Sequence, residues 1–470
     1  MQLLWFLVAS AAMAASASKD PQTEKAGKVC QSLKTAFANS TILAGDEGYT
    51  AEIQVPWSAR SWLGPACIFA PMDANELSSG LRCIVEQEVQ FSMRGGGHMP
   101  ISNASSIDAD GILISSLNMK TLTISEDKDT VAIGPGLRWS DVYAALDGTG
   151  VTVLGGRGSP IGVSGLLLGG GVSFFSYEYG LASTNGNVKA YECVLADGAV
   201  VEATSTNEYA DLFWALQGGG NSFCLVTRFD LQTQHSPSVM IASPSYGGEE
   251  VKHQFIDGVY NFAVNGHEDP KAAVLPVITY VGGTNEPTYS ATLFYNGNST
   301  SPAVLGDFLG NILTPDNTSK SLSQFPMGEY HQAILPSFQK GGRSYGSRQR
   351  FHMLPTYANK EAMLIAHDMY FELAKSTWTN EADDEVFDTF ISKFNTKVRE
   401  RLEPMGVLYP FYYLNEADIG QPVFESYPDG NLDRLKEIRA KFDPDRVFTV
   451  AAPDHRCPRA FFQPPARQPT

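Results

Sequence analysis

The sequence predicts an α+β fold divided between two domains. Three observations carry this. At 470 residues the chain is longer than a single hydrophobic core usually serves. Up to about residue 235, short apolar runs alternate with glycine-rich turns, as strands joined by tight connections do. Around "QHSPSVMIASPSYGG" (234–248) the composition shifts to Ser, Pro and Gly, and beyond it come alternating strands and two long helical segments. The domain boundary is placed between residues 235 and 236.

The elements follow in order. Leu3 to Ala17 is an apolar run ending in small residues, with "AMA" and "ASA" as cleavage sites. It is shorter than the roughly 20 residues of a membrane span and reads as a secretory signal over 1–17, although its start lacks Lys and Arg. "AGKVCQSLKTAF" reads as a helix, and so does "NELSSGLRCIVEQEV", whose Leu77, Leu81, Ile84 and Val85 share a face. "GILISS", "TLTISEDKDTVAIGPG", "GVTVLGG", "YECVLADGAVVEATS" and "FCLVTRFDLQT" read as strands, with "DKD" and "ADG" as hairpin turns. "WSDVYAALDGTG" is a helix closed by glycine. In the second domain "KAAVLPVITYVGG" and "TYSATLFYNG" alternate as antiparallel strands, and "KEAMLIAHDMYFELAKS" and "ADDEVFDTFISKFNTKVRERL" are helices.

A net charge of -17 argues against nucleic acid, whose binding depends on clustered Lys and Arg. Past the N-terminus no stretch is apolar enough to span a membrane. Sequons at Asn39, Asn103, Asn298 and Asn317 make N-glycans an expectation consistent with secretion. The six cysteines contain no C-x-x-C pair, so neither a zinc nor a redox motif is indicated. Cys193 and Cys224 lie in buried strands and read as free thiols. Cys30 and Cys83, both in helical segments, are the expected disulfide.

Three glycine clusters carry the functional signal: "RGGGH" (94–98), "GGRGSPIGVSGLLLGGG" (155–171) and "LQGGGNSF" (216–223). Glycine lets backbone approach a ligand closely, and successive N–H groups form anion-binding nests. Neither GxGxxG nor GxxxxGK[ST] is present, so the Rossmann and P-loop readings fail on spacing. Alone, such clusters are equally the mark of tight turns between strands.

Their order says more. "RGGGH", "DGILISSLNMKTLTI", "VAIGPGLRWSDVYAAL", "GGRGSPIGVSGLLLGGGVSFFSYEYG", "VLADGAVVEA", "FWALQGGGNSFCLVTRFDLQT", "YLNEAD" and "YPDGNLDRLKEIRAKFDPDRVF" together closely resemble the FAD-linked oxidases of the vanillyl-alcohol-oxidase type. Within them the chain is similar to the berberine-bridge-enzyme-like branch in its secreted fungal form. The resemblance covers about 60–235 and the last 45 or so residues. It implies a two-part FAD-binding domain of PCMH type (18–235), a substrate domain with an antiparallel sheet and covering helices (236–409), a C-terminal segment returning to the FAD domain (410–455) and a tail (456–470).

By the same resemblance His98 is the residue bonded to the flavin. The expected cofactor residues are Arg94, Gly95, Gly96, Gly97 and His98, then Gly156, Arg157, Gly158, Ser159, Gly162 and Ser164, with Asn187, Asn415 and Asn431. Many relatives carry a Cys after "GR". Here Gly158 stands in its place, which implies a single bond to FAD through His98 and a weaker case for sugar oxidation. Relatives often read Asp-Asn-Val where this chain has Gly186, Asn187 and Val188. In "YYLN", Tyr413 and Asn415 match the residues that relatives present to the flavin face. A tyrosine of ordinary pKa near 10 needs a cationic neighbour or the flavin's field to act as a base. Tyr177, Glu178 and Tyr179 are expected to wall the pocket.

The implied activity is oxidation of an alcohol, amine or activated C–H of a small organic molecule, a secondary metabolite, with molecular oxygen as acceptor and hydrogen peroxide as product. The implied enzyme is a monomer. Two alternatives stay open: a carbohydrate oxidase, and a flavoprotein that uses its pocket for cyclisation without net redox chemistry. A serine hydrolase at "GRSYG" (342–346) with Ser344 as nucleophile lacks the strand and helix an elbow needs. The eight histidines form no H-E-x-x-H, and no metal is expected.

Overall fold

The computed structural model describes residues 20–451, apart from 237, 281–286, 316–319, 343 and 374–378. The signal segment, Asn317, Cys457 and the tail lie outside the described residues. No described helix is long and apolar enough to cross a membrane.

The first helix, Pro21–Ala36, starts earlier than the apolar pattern suggests. Asp20 caps it by accepting from Gln22 N–H, and Pro21 supplies a preset φ at the first turn. Strands β1 (Thr41–Leu43), β2 (Cys67–Phe69), β3 (Gln90–Arg94) and β4 (Gly111–Ser115) form one sheet in the order β1-β2-β4-β3. β2 and β3 run parallel to β4, while β1 is antiparallel to β2. The helix Ala74–Glu86 is the crossover between β2 and β3, capped by Asp73. Its buried stripe is Leu77, Leu81 and Ile84, with Val85 half-buried.

The disulfide is Cys30–Cys67, with Cα atoms 5.8 Å apart, not Cys30–Cys83. Cys30 points from the buried face of the first helix at the first residue of β2. Cys83 sits two residues beyond Leu81, off the buried stripe, and stays a half-buried free thiol.

A second sheet contains β5 (Leu122–Ile124), β6 (Thr130–Ile133), β7 (Val188–Val194), β8 (Val200–Thr204) and β9 (Leu225–Gln232), all antiparallel in the order β5-β6-β9-β7-β8. Both expected hairpins are present, β5–β6 and β7–β8. "GVTVLGG" forms only a bridge from Thr152 to Gln234. There the backbone leaves the sheet to lie on Trp139, where a Cβ at Gly155 would sit 2.1 Å from the indole.

The third sheet holds β10 (Val239–Ala242), β11 (Ser245–Tyr246), β12 (Ala272–Thr279), β13 (Thr288–Tyr295) and β14 (Ser323–Phe325), again antiparallel. Strand alternation gives it two apolar faces. Met240, Ala242 and Leu293 pack with Phe255 and Phe262 of the helix Val251–Asn265. Val239, Ile241 and Phe294 face the core of the first domain, where Phe294 stacks on Phe174 at 5.1 Å and meets Phe175 edge-on at 5.0 Å. The helices Lys360–Leu373 and Asp384–Leu402 pack on each other beyond the sheet.

An ion network fastens the second domain to the first. Arg60 makes a two-pronged contact with Asp388 of the helix Asp384–Leu402, at 2.8 and 2.9 Å. Arg350 bridges Asp388 (2.8 Å) and Asp418 of the C-terminal segment (2.5 Å), and Arg348 holds Asp384. Burial pushes the Asp388 carboxyl up, but hydrogen bonds from Arg60 and Arg350 outweigh this and hold it below the ordinary carboxylate range. A depressed folded pKa gives stability that is present above the unfolded value, about 3.9, and is lost as pH falls through the folded value. Asp388→Asn is therefore expected to lower the thermal midpoint at pH 7, with wild type and variant converging at acid pH. Thermal unfolding followed across pH checks this, and a gap that does not narrow as pH falls through the acid range contradicts it.

Candidate functional site

The three glycine clusters converge on one cavity, with about 1240 Å³ of empty space that is partly open to solvent. Its walls come from the stretches Gly95–Met99, Ile161–Leu168, where Val163 and Leu167 turn away, and Gly220–Val226, where Ser222 and Phe223 do, together with Phe351 and Tyr413–Glu416. The turn after β3 and the loop before the helix Val163–Leu168 cross backbone on backbone. A Cβ on Gly96 would lie 2.5 Å from Gly162 Cα, and one on Gly162 would lie 2.3 Å from Gly96 N. No side chain fits at either position. Gly97 then turns with φ +67, aiming His98 into the cavity.

His98 is held from behind. Its ring stacks on Trp57 at 5.0 Å and 11°, and Trp57 Nε1 donates to the His98 carbonyl at 2.8 Å. Burial, helped by the charge of Arg138, pushes its pKa down to about 4. The imidazole is thus neutral at physiological pH, and its buried Nδ1 has no hydrogen-bond partner. A buried polar atom without a partner is costly and points to a missing one.

Tyr413 stands on the C-terminal segment, 7% exposed. Its hydroxyl accepts from Val172 N–H (2.9 Å) and from Asn415 Nδ2 (3.0 Å), so both lone pairs are engaged and its own proton is left to donate. Asn415 Nδ2 also donates to Leu166 O at 3.0 Å. Burial pushes the Tyr413 phenol up, while the bonds from Asn415 and Val172 and the Arg157 charge pull it down and Glu416 opposes them. Arg157 and Glu416 face each other at 3.2 Å on the rim.

Of the residues singled out in sequence, the cavity gathers Gly95, Gly96, Gly97, His98, Arg157, Gly162, Ser164, Tyr413 and Asn415. The others lie outside its lining. Arg94 is fully buried behind the turn, paired with Glu52, which also accepts from Ser115 Oγ at 2.6 Å; Nε and Nη1 of Arg94 lack partners. Gly156 packs on Trp139, where a Cβ would meet the indole at 2.6 Å, and Gly158 lies against Ile161. Ser159 Oγ donates to His331 O at 2.7 Å. Asn187 donates to Tyr179 O and Leu181 O, shaping the turn behind the third wall. Asn431 opens the helix Asn431–Phe442.

Tyr177, Glu178 and Tyr179 do not wall the cavity. Tyr177 is half exposed and packs edge-on to Phe262, Glu178 accepts from Asn296 Nδ2 at 2.8 Å, and Tyr179 packs against the main core. They tie the first domain to the third sheet instead. Ser344 lies in a run of turns with no strand before it. Among the described residues no group of His, Cys, Asp and Glu could hold a metal.

Sequence reasoning missed Phe351, Ser105 and Trp57. Ser105 Oγ is a second buried atom without a partner in the lining. Asn221 and Glu416 were within reach, since each directly follows a quoted motif residue.

These features fit a flavin dinucleotide. Close-set glycine backbone admits a flat, phosphate-bearing group, and His98 and Ser105 of the lining each carry a buried polar atom without a partner. The Tyr413 arrangement has its own test. A Cβ on Gly169 would lie 2.1 Å from Asn415 Oδ1. Gly169→Ala is expected to displace the amide, break its bond to Tyr413 and lower kcat at least about tenfold, or about 1.4 kcal/mol. Steady-state kinetics check it, and an unchanged kcat contradicts the role of the Asn415–Tyr413 bond.

Residues 65–204 match the FAD binding domain family, and residues 412–453 match the family described as berberine and berberine like. An FAD-dependent monooxygenase of Penicillium roqueforti is 29% identical, over 92% of this chain and 93% of that protein. Another, of Arthrobotrys oligospora, is 30% identical over 89% of this chain and 87% of its own. Two solved structures share the fold at low identity. They are 6-hydroxy-D-nicotine oxidase of Arthrobacter nicotinovorans (TM-score 0.73, 19% identity, 87% of this chain and 96% of that one) and a glucooligosaccharide oxidase of Acremonium strictum (0.70, 18%, 89% and 97%). The FAD of the latter is described as 6-S-cysteinyl, 8α-N1-histidyl. With a relative of 30% identity matched over 87% of its length, and with the walls at Gly95–Met99, Ile161–Leu168 and Tyr413–Glu416 falling in the two matched segments, the chain belongs to the berberine-bridge-enzyme-like FAD-linked oxidoreductases of the vanillyl-alcohol-oxidase type.

Proposed function

We propose that this enzyme oxidises an alcohol, amine or activated C–H of a small, largely apolar organic molecule, a secondary metabolite, at FAD held covalently by His98 alone. The observation that carries the reading is the neutral, half-buried His98, whose buried Nδ1 lacks a partner and which lines the cavity that also holds Tyr413. Bound flavin supplies a two-electron acceptor for hydride, with oxygen completing the turnover and peroxide released. A neutral imidazole offers the lone pair that attachment requires; a protonated one would not. With Gly158 in the second loop and no thiol beside it, no second tether forms there.

Tyr413 handles the substrate proton. Asn415 and Val172 N–H fix its oxygen, and both stabilise the phenolate by hydrogen bonds to the charged form. Arg157 adds a positive charge nearby. The wall side chains Met93, Ile161, Leu166, Leu168, Phe351 and Leu414 favour an apolar substrate body and speak against a sugar. We further propose secretion as a glycosylated monomer. The Cys30–Cys67 disulfide supports an oxidising compartment, and Asn39 and Asn298 are exposed. The relatives' naming as monooxygenases favours one second reading, in which oxygen enters the product.

After acid precipitation, flavin absorbance is expected to remain with wild-type chain, whose intact mass carries one FAD, and to be absent from denatured His98→Ala. Free FAD released from wild type defeats the covalent reading. Tyr413→Phe should retain bound flavin and lose kcat by about 100-fold or more. Turnover under ¹⁸O₂ separates the two reactions: label in peroxide marks the oxidase, label in product the monooxygenase.

A further inference from the structure

We propose that Cys193 and Cys224 form a second disulfide that clamps the third glycine turn, and with it one wall of the cavity, to the sheet behind it. Cys193 lies in β7, and Cys224 immediately precedes β9, its antiparallel neighbour. In a regular ladder a diagonal pair of this kind stands too far apart for a bond. Here the register slips between Glu192 and Cys193, so that Cys193 faces Val226 and Cys224 lies on the same side two residues away. The slip brings the two sulfurs to 2.6 Å, inside ordinary thiol contact. Both residues are fully buried in the main core. Cys83, the other free thiol among the described residues, is half-buried, and no sulfur contact is seen there.

The pair sits where a cross-link has something to restrain. Cys224 belongs to the cavity lining, together with Gly220, Asn221, Leu225 and Val226. The turn leading into it contains Gly218 and Gly220, at φ +116 and +78, whose backbone is the least restricted of any residue type. A bond from Cys224 to Cys193, near the end of the inner strand β7, removes that freedom from the wall facing the cofactor. Tyr191, two residues before Cys193 in β7, has a buried hydroxyl without a partner, and burial pushes its phenol up.

The bond forms by exchange with a disulfide oxidant, a protein or low-molecular-weight disulfide of the oxidising compartment proposed above, on which this step rests. One cysteine thiolate attacks the oxidant disulfide, forming a mixed disulfide and expelling one thiolate. The second cysteine then attacks the mixed disulfide and expels the other. Two cysteine protons are lost, and the oxidant leaves as two thiols, reduced by two electrons. Burial pushes the Cys193 thiol well up, making it unreactive in the closed fold, so the exchange belongs to folding, before β7 and β9 close.

The test uses wild-type protein isolated without reductant, unfolded in N-ethylmaleimide, digested and mapped by mass. The expected result is that peptides bearing Cys193 and Cys224 are joined and separate only after reduction, while Cys83 carries the label. Maleimide on both Cys193 and Cys224 overturns the proposal. The Cys193→Ala/Cys224→Ala double variant is expected to lower the thermal midpoint by about 5 °C. An unchanged midpoint overturns the clamp.

Discussion

The contact on which the rest of the site depends is the crossing of Gly96 over Gly162. Two loops, one leaving a parallel sheet and the other leading into a short helix, press together with no side chain between them. This brings the turn that ends in His98 against the stretch that supplies Ser164, Leu166 and Leu168. A single Cβ at either position would separate the two halves of the cavity by forcing backbone apart, since no flexible side chain is there to yield. The two sheets of the FAD domain are separate ladders, and their meeting at the site is fixed by this crossing. The cavity therefore inherits the rigidity of main chain rather than the mobility of side chains.

Around that crossing, burial does opposite things to two titratable groups. It removes the charged form of His98, leaving a neutral ring with a free lone pair at physiological pH. It also disfavours the charged form of Tyr413, which is the wrong direction for a base, and here the chain supplies compensation: two donors to the phenol oxygen and Arg157 nearby. The same low-dielectric cavity thus suits His98 to the attachment proposed for it without help, and suits Tyr413 to its proposed proton transfer only with help. Glu416 moderates that help by pairing with Arg157 at the rim.

What was legible in the sequence follows the same division. The glycine clusters, and the place of His98 beside them at the cavity, were readable because close backbone approach demands glycine and leaves a motif; the crossing of Gly96 over Gly162 was not. The α+β class and the hairpins were readable because strand alternation and turn residues are local. The pocket walls were not. Phe351 comes from a segment with no periodic signal, brought in by tertiary packing alone, and Tyr177, Glu178 and Tyr179 were read as walls because they follow a glycine run, whereas the chain turns them toward the third sheet. The disulfide was misread for a related reason: Cys30 and Cys83 both occupy helices, but only the face each helix buries decides what a cysteine meets, and that face selects Cys67.

The location of Phe351 also says where specificity is built. It stands between Arg350 and His352, and Arg350 is held by Asp388 and Asp418 while His352 Nδ1 faces Asp418 at 3.3 Å. The aromatic that reaches the cavity is thus carried on a strand-less segment whose position is set by contacts of both neighbours: Arg350 with Asp388 of the helix Asp384–Leu402 and with Asp418 of the C-terminal segment, and His352 with Asp418. Met353 next along packs its sulfur on the Tyr413 N–H at 3.0 Å. Residues 350–353 therefore join the substrate domain to the segment that presents Tyr413 and Asn415, so a change in that short stretch alters pocket shape and the placing of the proton-handling pair together. The FAD-facing side, by contrast, is fixed by glycine backbone that admits almost no substitution. A chain built this way can vary what it binds while keeping how it holds its cofactor, because the two tasks rest on different kinds of contact.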